Sequence, residues 1–138
     1  MGSFEVDSKL NHDTYFVSDL NLCRLLIMND SNYPWLILVP RRFNITEIYQ
    51  LSNEDRFQLD FEINFLSEKL ANYYKADKMN IASIGNIVSQ LHVHIIVRKK
   101  TDLLWPETIW GKKNPLFYSK EDIENTISII KNLLTNYK

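Results

Sequence analysis

Apolar residues in the first forty positions either alternate with polar ones or fall in short unbroken runs, which is the habit of strands. Thr14 to Val17 and Leu22 to Met28 read as two strands, joined by the turn-like cluster Ser18-Asp19-Leu20-Asn21. Asn29-Asp30-Ser31-Asn32 marks another turn, and Trp35 to Val39 forms a buried strand ended by Pro40. The period then changes. Ser52 followed by Asp55 has the form of a helix N-cap with an acidic first turn. Behind it Phe57, Phe61, Phe65 (or Leu66) and Leu70 recur at helical spacing, to about Tyr74. Asn80 to Ile84 and Leu91 to Val97 are two further strands around the turn Gly85-Asn86. Ser119 with Asp122 caps a last helix that carries Ile123, Ile127, Ile130 and Leu134 on one face. The pattern predicts an α+β fold: a single domain over 1–138 with a largely antiparallel sheet of about five strands and two main helices on one of its faces. Trp105 to Phe117 has no clear period and contains two prolines and a glycine, so a long ordered loop is expected there.

Composition narrows the partners. Sixteen basic residues face seventeen acidic ones in 138, so no basic field exists to hold a nucleic acid polymer, and any nucleotide would have to be gripped locally. No stretch approaches the roughly 20 apolar residues of a membrane span, the N-terminus lacks a signal-peptide layout, and Val6 stands where a myristoylation signal has Ser or Thr. Cys23 is the lone cysteine, in an apolar run, and reads as a buried core thiol in a reducing compartment. The expectation is a cytoplasmic protein.

Candidate chemistry lies in Gln90-Leu91-His92-Val93-His94-Ile95-Ile96. Strand alternation puts Gln90, His92 and His94 on one face, about 6.5–7 Å apart, and Leu91, Val93 and Ile95 on the other. A neutral imidazole is a nucleophile at pH 7, and a neighbouring ring can hold a proton for a leaving group. The alternation alone suits equally a pair of partly exposed histidines on a polar sheet face. A metal reading is weaker: the only other histidine is His12, and no acidic residue adjoins the pair.

The stretch resembles the signature of the histidine triad (HIT) family, His-φ-His-φ-His-φ-φ with φ apolar, with Gln90 in place of the first histidine. The resemblance runs on through Leu26 to Asp30 and Tyr33 to Arg41, which are similar to the family's nucleoside-binding strand, turn and strand. It continues through Asn80 to Asn86, the approach to the motif, and Trp105 to Gly111, similar to the tail of bacterial members.

The resemblance implies a HIT-like fold and a hydrolase or transferase acting on the α-phosphate of nucleoside phosphoesters, phosphoramidates or dinucleoside polyphosphates such as diadenosine polyphosphates. His92 would be the nucleophile, held by a hydrogen bond from its other ring nitrogen to the Gln90 carbonyl. His94 would bond the phosphoryl oxygens or assist the leaving group. Asn29, or else Asp30, would bind the ribose, and Asn86 the phosphate, although a turn role suits Asn86 equally. Gln90 is neutral at every pH and cannot relay a proton, but its amide could still donate to a phosphoryl oxygen; a histidine restored there would complete the family pattern. The alternative is a nucleotide-binding or regulatory module with weak turnover. The resemblance further implies a purine nucleotide, a homodimer, no metal and no cofactor. The helix after Ser52 supports the dimer, because Phe57, Leu59, Phe61, Ile63, Phe65 and Leu66 spread around more of the cylinder than one core face needs. Trp105 and Trp110 would stack on a base or pack the loop; Arg41, Arg42 and Arg98 read as strand-end charges, and His12 as a surface residue.

Overall fold

The computed structural model describes residues 2–112 and 114–137. Its strands are β1 (Thr14–Asp19), β2 (Cys23–Met28), β3 (Trp35–Pro40), β4 (Lys78–Ala82) and β5 (Val93–Arg98). They form one sheet in the order β1-β2-β3-β5-β4, antiparallel at every step. The expected α+β architecture is therefore present. Three strands shift by two residues: the first runs on through Ser18 and Asp19, expected in the turn, the fourth begins and ends two residues before Asn80 and Ile84, and the fifth begins at Val93, two residues after Leu91.

The two long helices start where their caps require. Ser52 accepts a hydrogen bond from Asp55 N at the head of α2 (Asn53–Tyr74, where α1 is the N-terminal turn described below), and Ser119 accepts from Asp122 N at the head of α3 (Lys120–Leu133). Both cover the face formed by Leu25, Ile27, Leu36, Leu38, Val93, Ile95 and Val97. The face that α2 buries is not the phenylalanine row. Leu59, Glu62, Leu66 and Leu70 point inward, while Phe57 and Phe61 are 78 % and 48 % exposed. Glu62 hid the true stripe, because a carboxylate breaks an apolar period. It is fully buried and satisfied, accepting from Leu22 N at 2.8 Å, Cys23 N at 2.9 Å, Gln58 Nε2 and the Tyr137 hydroxyl.

The opposite face, for which no covering helix was expected, is covered in part by the N-terminus. A six-residue helix, α1 (Ser8–Asp13), is capped by Asp7, which accepts from Lys9 N and Leu10 N. Leu10, Phe4 and Val6 pack on Leu26, Ile37 and Val39. Asp7 is an ordinary cap, but the helix it opens is too short to show a period.

Arg98 ends β5 and is not the solvated strand-end charge its position suggested. It is 1 % exposed and pairs in two bonds with Asp102, donating also to Asn80 Oδ1 and the Glu107 carbonyl at 2.8 Å. Its guanidinium lies over the rings of Tyr33 and Trp105. The residues after β5 are thereby fastened to the sheet. Burial pushes the Cys23 thiol far up, out of reach of ionisation. No helix among the described residues is long and apolar enough to cross a membrane.

Candidate active site

The apolar side chains of Leu91, Val93 and Ile95 lie in the core, so His92 and His94 fall on the other face. That face is roofed by α1 and by the loop after β5, and the two histidines are only 5 % and 6 % exposed. They are not the partly exposed pair that alternation alone allowed. Their rings meet edge to face with centroids 4.9 Å apart.

Each ring is held by a partner of fixed polarity. His92 Nδ1 lies 2.7 Å from the Gln90 carbonyl oxygen. A carbonyl only accepts, so Nδ1 carries a proton, and in the neutral ring Nε2 keeps its lone pair. His94 Nδ1 lies 3.0 Å from Trp35 Nε1. An indole N–H only donates, so here Nδ1 is the acceptor. Burial, with a lesser contribution from His92, pushes the His94 pKa down to about 4. His94 is therefore neutral at pH 7.

The histidines line a cleft of about 440 Å³ together with Asn86, Trp110 and residues of α1, among them Lys9, Leu10 and Asp13. The Trp110 ring stands 5.8 Å from that of His94, and its Nε1 is buried with no hydrogen-bond partner among the described residues. Lys9, Asp13 and Met28 also line an adjoining cavity of about 690 Å³ that holds Asn29, Asp30, Trp35 and Phe117. The two spaces share a wall and together suit an elongated ligand.

Of the expected site residues, His92, His94, Asn86 and Trp110 come together, with Asn29 and Asp30 next door. Asn29 Oδ1 accepts from Tyr118 N, and Asp30 Oδ1 accepts from Asn32 N, Asn32 Nδ2 and Leu116 N. Asp30 Oδ2 and Asn29 Nδ2 carry no hydrogen bond among the described residues.

Gln90 lies elsewhere. Its residue precedes the β5 ladder, and its side chain turns to the N-terminal segment: Oε1 accepts from Asp7 N at 2.8 Å and Nε2 donates to the Glu5 carbonyl at 2.8 Å. It borders a different groove, with Ser3 and Phe43. The row of three polar groups on one face is thus a row of two, because the bonds to Asp7 N and the Glu5 carbonyl draw the Gln90 side chain to the N-terminal segment. Lys113 lies outside the described residues; Lys112 is exposed and lines the second cavity. His12 is a surface residue at that cavity's edge, paired with Asp13.

Trp35 and the α1 residues were not anticipated. The signal for Trp35 appears only once the strand pairing is known: it starts β3 two residues before Ile37, which pairs with His94, so alternation then places an N–H donor on the histidine face. Trp105 packs on Arg98 and away from the histidines. Among the described residues no group of three His, Cys, Asp or Glu side chains is gathered that could hold a metal ion.

A family model described as the HIT domain matches residues 9–101. Among curated proteins nothing matches. A histidine triad protein of Marinobacter aquaeolei is similar at 42 % identity over 99 % of this chain and 100 % of that one, with a TM-score of 0.96. Another from Bradyrhizobium japonicum is 42 % identical over 95 % of this chain and 98 % of that one, with a TM-score of 0.92. A diadenosine triphosphate hydrolase of Plasmodium falciparum, 18 % identical over 99 % of this chain and 87 % of that one, shares the fold with a TM-score of 0.68. The family model covers most of the chain and two whole structures superpose on it, so the chain belongs to the histidine triad (HIT) family.

Proposed function

We propose that the protein is a nucleotide hydrolase or transferase that works through a nucleotidyl-His92 intermediate. The observation that carries this is the 2.7 Å bond from His92 Nδ1 to the Gln90 carbonyl, which selects the neutral tautomer whose lone pair on Nε2 is available in a cleft. In the first step Nε2 attacks the α-phosphorus, and the bond from phosphorus to the leaving group breaks with its electron pair. In the second, water attacks phosphorus, the phosphorus–nitrogen bond breaks, the pair returns to Nε2, and a proton goes to solvent. His94 bonds the phosphoryl oxygens, Asn86 and Trp110 border them, and Asn29 or Asp30 takes the ribose hydroxyls. The Plasmodium hydrolase of the same fold makes dinucleoside polyphosphates a natural first substrate, and a purine nucleotide in a cytoplasmic homodimer is the reading carried over from the family. No metal is bound to either ring in this scheme, since metal ligation would consume the lone pair of Nε2.

Acid-quenched single turnover with a substrate labelled at the α-phosphate tests it. The expected result is a base-stable, acid-labile label on the His92 peptide; label on His94 would sink the assignment. Gln90 supports a second reading, a nucleotide-binding module with weak turnover, because the amide it supplies is tied to the N-terminus. Binding without release of a mononucleotide would establish that one.

A further inference from the structure

The two histidines are neighbours in opposite tautomers. His92 bears its proton on Nδ1 because a carbonyl faces it, and His94 bears its proton on Nε2 because an indole N–H faces its Nδ1. We propose that Trp35 is a positioning residue that locks His94 as a fixed hydrogen-bond donor to a phosphoryl oxygen and bars it from supplying a proton to the leaving group. To act as an acid the neutral ring would have to give up Nε2–H and become an anion. To gain a proton beforehand it would have to take it on Nδ1, where two N–H groups would then oppose each other inside a wall of β3, β5 and the Trp110 loop. The burial that already holds His94 neutral acts in the same direction.

The consequence for substrates rests on the proposed nucleotidyl transfer. Gln90 cannot relay a proton and is engaged by Glu5 and Asp7. Among the described residues, the charged and titratable groups around His94 are His92 beside it, Lys9 and Asp13 on α1, and Lys112 beyond Trp110; Lys9 is bound to Asp13 at 3.0 Å. β3 and β4 present Ile37 and Ala82 to it. A leaving group must then depart with its own electron pair and no proton from His94. That selects mixed anhydrides at the α-phosphate, whose leaving groups are phosphates or carboxylates, over phosphoramidates of alkyl amines.

Nitrogen NMR on histidine-labelled protein tests the tautomer without any substrate. In the wild type the His94 Nδ1 signal should be that of an unprotonated ring nitrogen from pH 5.5 to 8, with a scalar coupling across the hydrogen bond from Trp35 Nε1. In Trp35→Phe the ring should divide between tautomers and its pKa should rise. A protonated Nδ1 in the wild type, or an unchanged single tautomer in Trp35→Phe, overturns the proposal; the wild-type coupling decides it even if the variant does not fold. The second arm compares adenylates with graded leaving groups. Alkyl amine release should lag by about 10²–10⁴, the factor a positioned acid supplies. A flat series would overturn the bar on proton donation. Failure to cleave any adenylate would instead count against the nucleotidyl-transfer reading and leave the tautomer assignment by NMR intact.

Discussion

Replacing Gln90 by histidine restores the family signature on paper and should damage this protein. The amide oxygen and nitrogen of Gln90 satisfy Asp7 N and the Glu5 carbonyl, both at 2.8 Å, and so pin the strand that leads into α1. An imidazole is shorter and presents one donor and one acceptor in a different geometry, so both bonds are lost. At about 0.5–1.5 kcal/mol for each, the substitution should destabilise the fold by about 1–3 kcal/mol. Part of that loss is local, because α1 contributes Lys9, Leu10 and Asp13 to the wall of the histidine cleft. Urea unfolding measures the total, as a lowered midpoint at unchanged slope. Hydrogen exchange should show faster opening of residues 4–13 in the variant, and turnover of a labelled dinucleoside polyphosphate should fall or stay level. A variant that is as stable as the wild type and turns over faster would refute the reasoning, since it would mean that the tether is dispensable and that a third histidine is what the site lacks.

Other expectations follow from the same geometry. His92→Ala should cost several orders of magnitude in single-turnover rate while leaving nucleotide affinity by calorimetry within about tenfold, and His94→Ala should cost less. Acid should weaken the fold through His94. Its pKa is lowered from 6.5 to about 4, so the unfolded chain binds the extra proton first, and stability falls as pH drops from 6.5 through 4, by on the order of 3 kcal/mol. Urea midpoints at pH 4 and pH 7 should differ accordingly in the wild type and differ less in His94→Gln. The protein should scatter light as a dimer at micromolar concentration, and Phe61→Asp should shift it toward monomer, because Phe57 and Phe61 leave an apolar strip on the outside of α2 and β4 is an edge strand.

Much of the fold was legible because its signals are local. Caps at Ser52 and Ser119 fixed the starts of both long helices, and alternation placed Leu91, Val93 and Ile95 in the core. What escaped depends on distant partners. The inward face of α2 runs through Glu62, whose burial is made tolerable by distant donors, the backbone N–H groups of Leu22 and Cys23 and the Tyr137 hydroxyl, together with Gln58 one turn away. Gln90 reads as a catalytic position until Glu5 and Asp7 are seen to hold it. The bond from Trp35 to His94 joins two strands, so neither segment alone announces it. The His92 carbonyl bond was legible because it spans only two residues.

Arg98 bears on the kinetics of the site as well as on its stability. The strand that carries His94 ends in Arg98, and Arg98 grips the Glu107 carbonyl three residues before Trp110. The Trp110 side of the cleft is therefore tied to the strand that carries His94. A nucleotide bound as proposed would spend little of its binding energy on ordering that wall. Any yielding of the cleft is expected on the other bank, where α1 is six residues long and follows a segment tethered to Gln90.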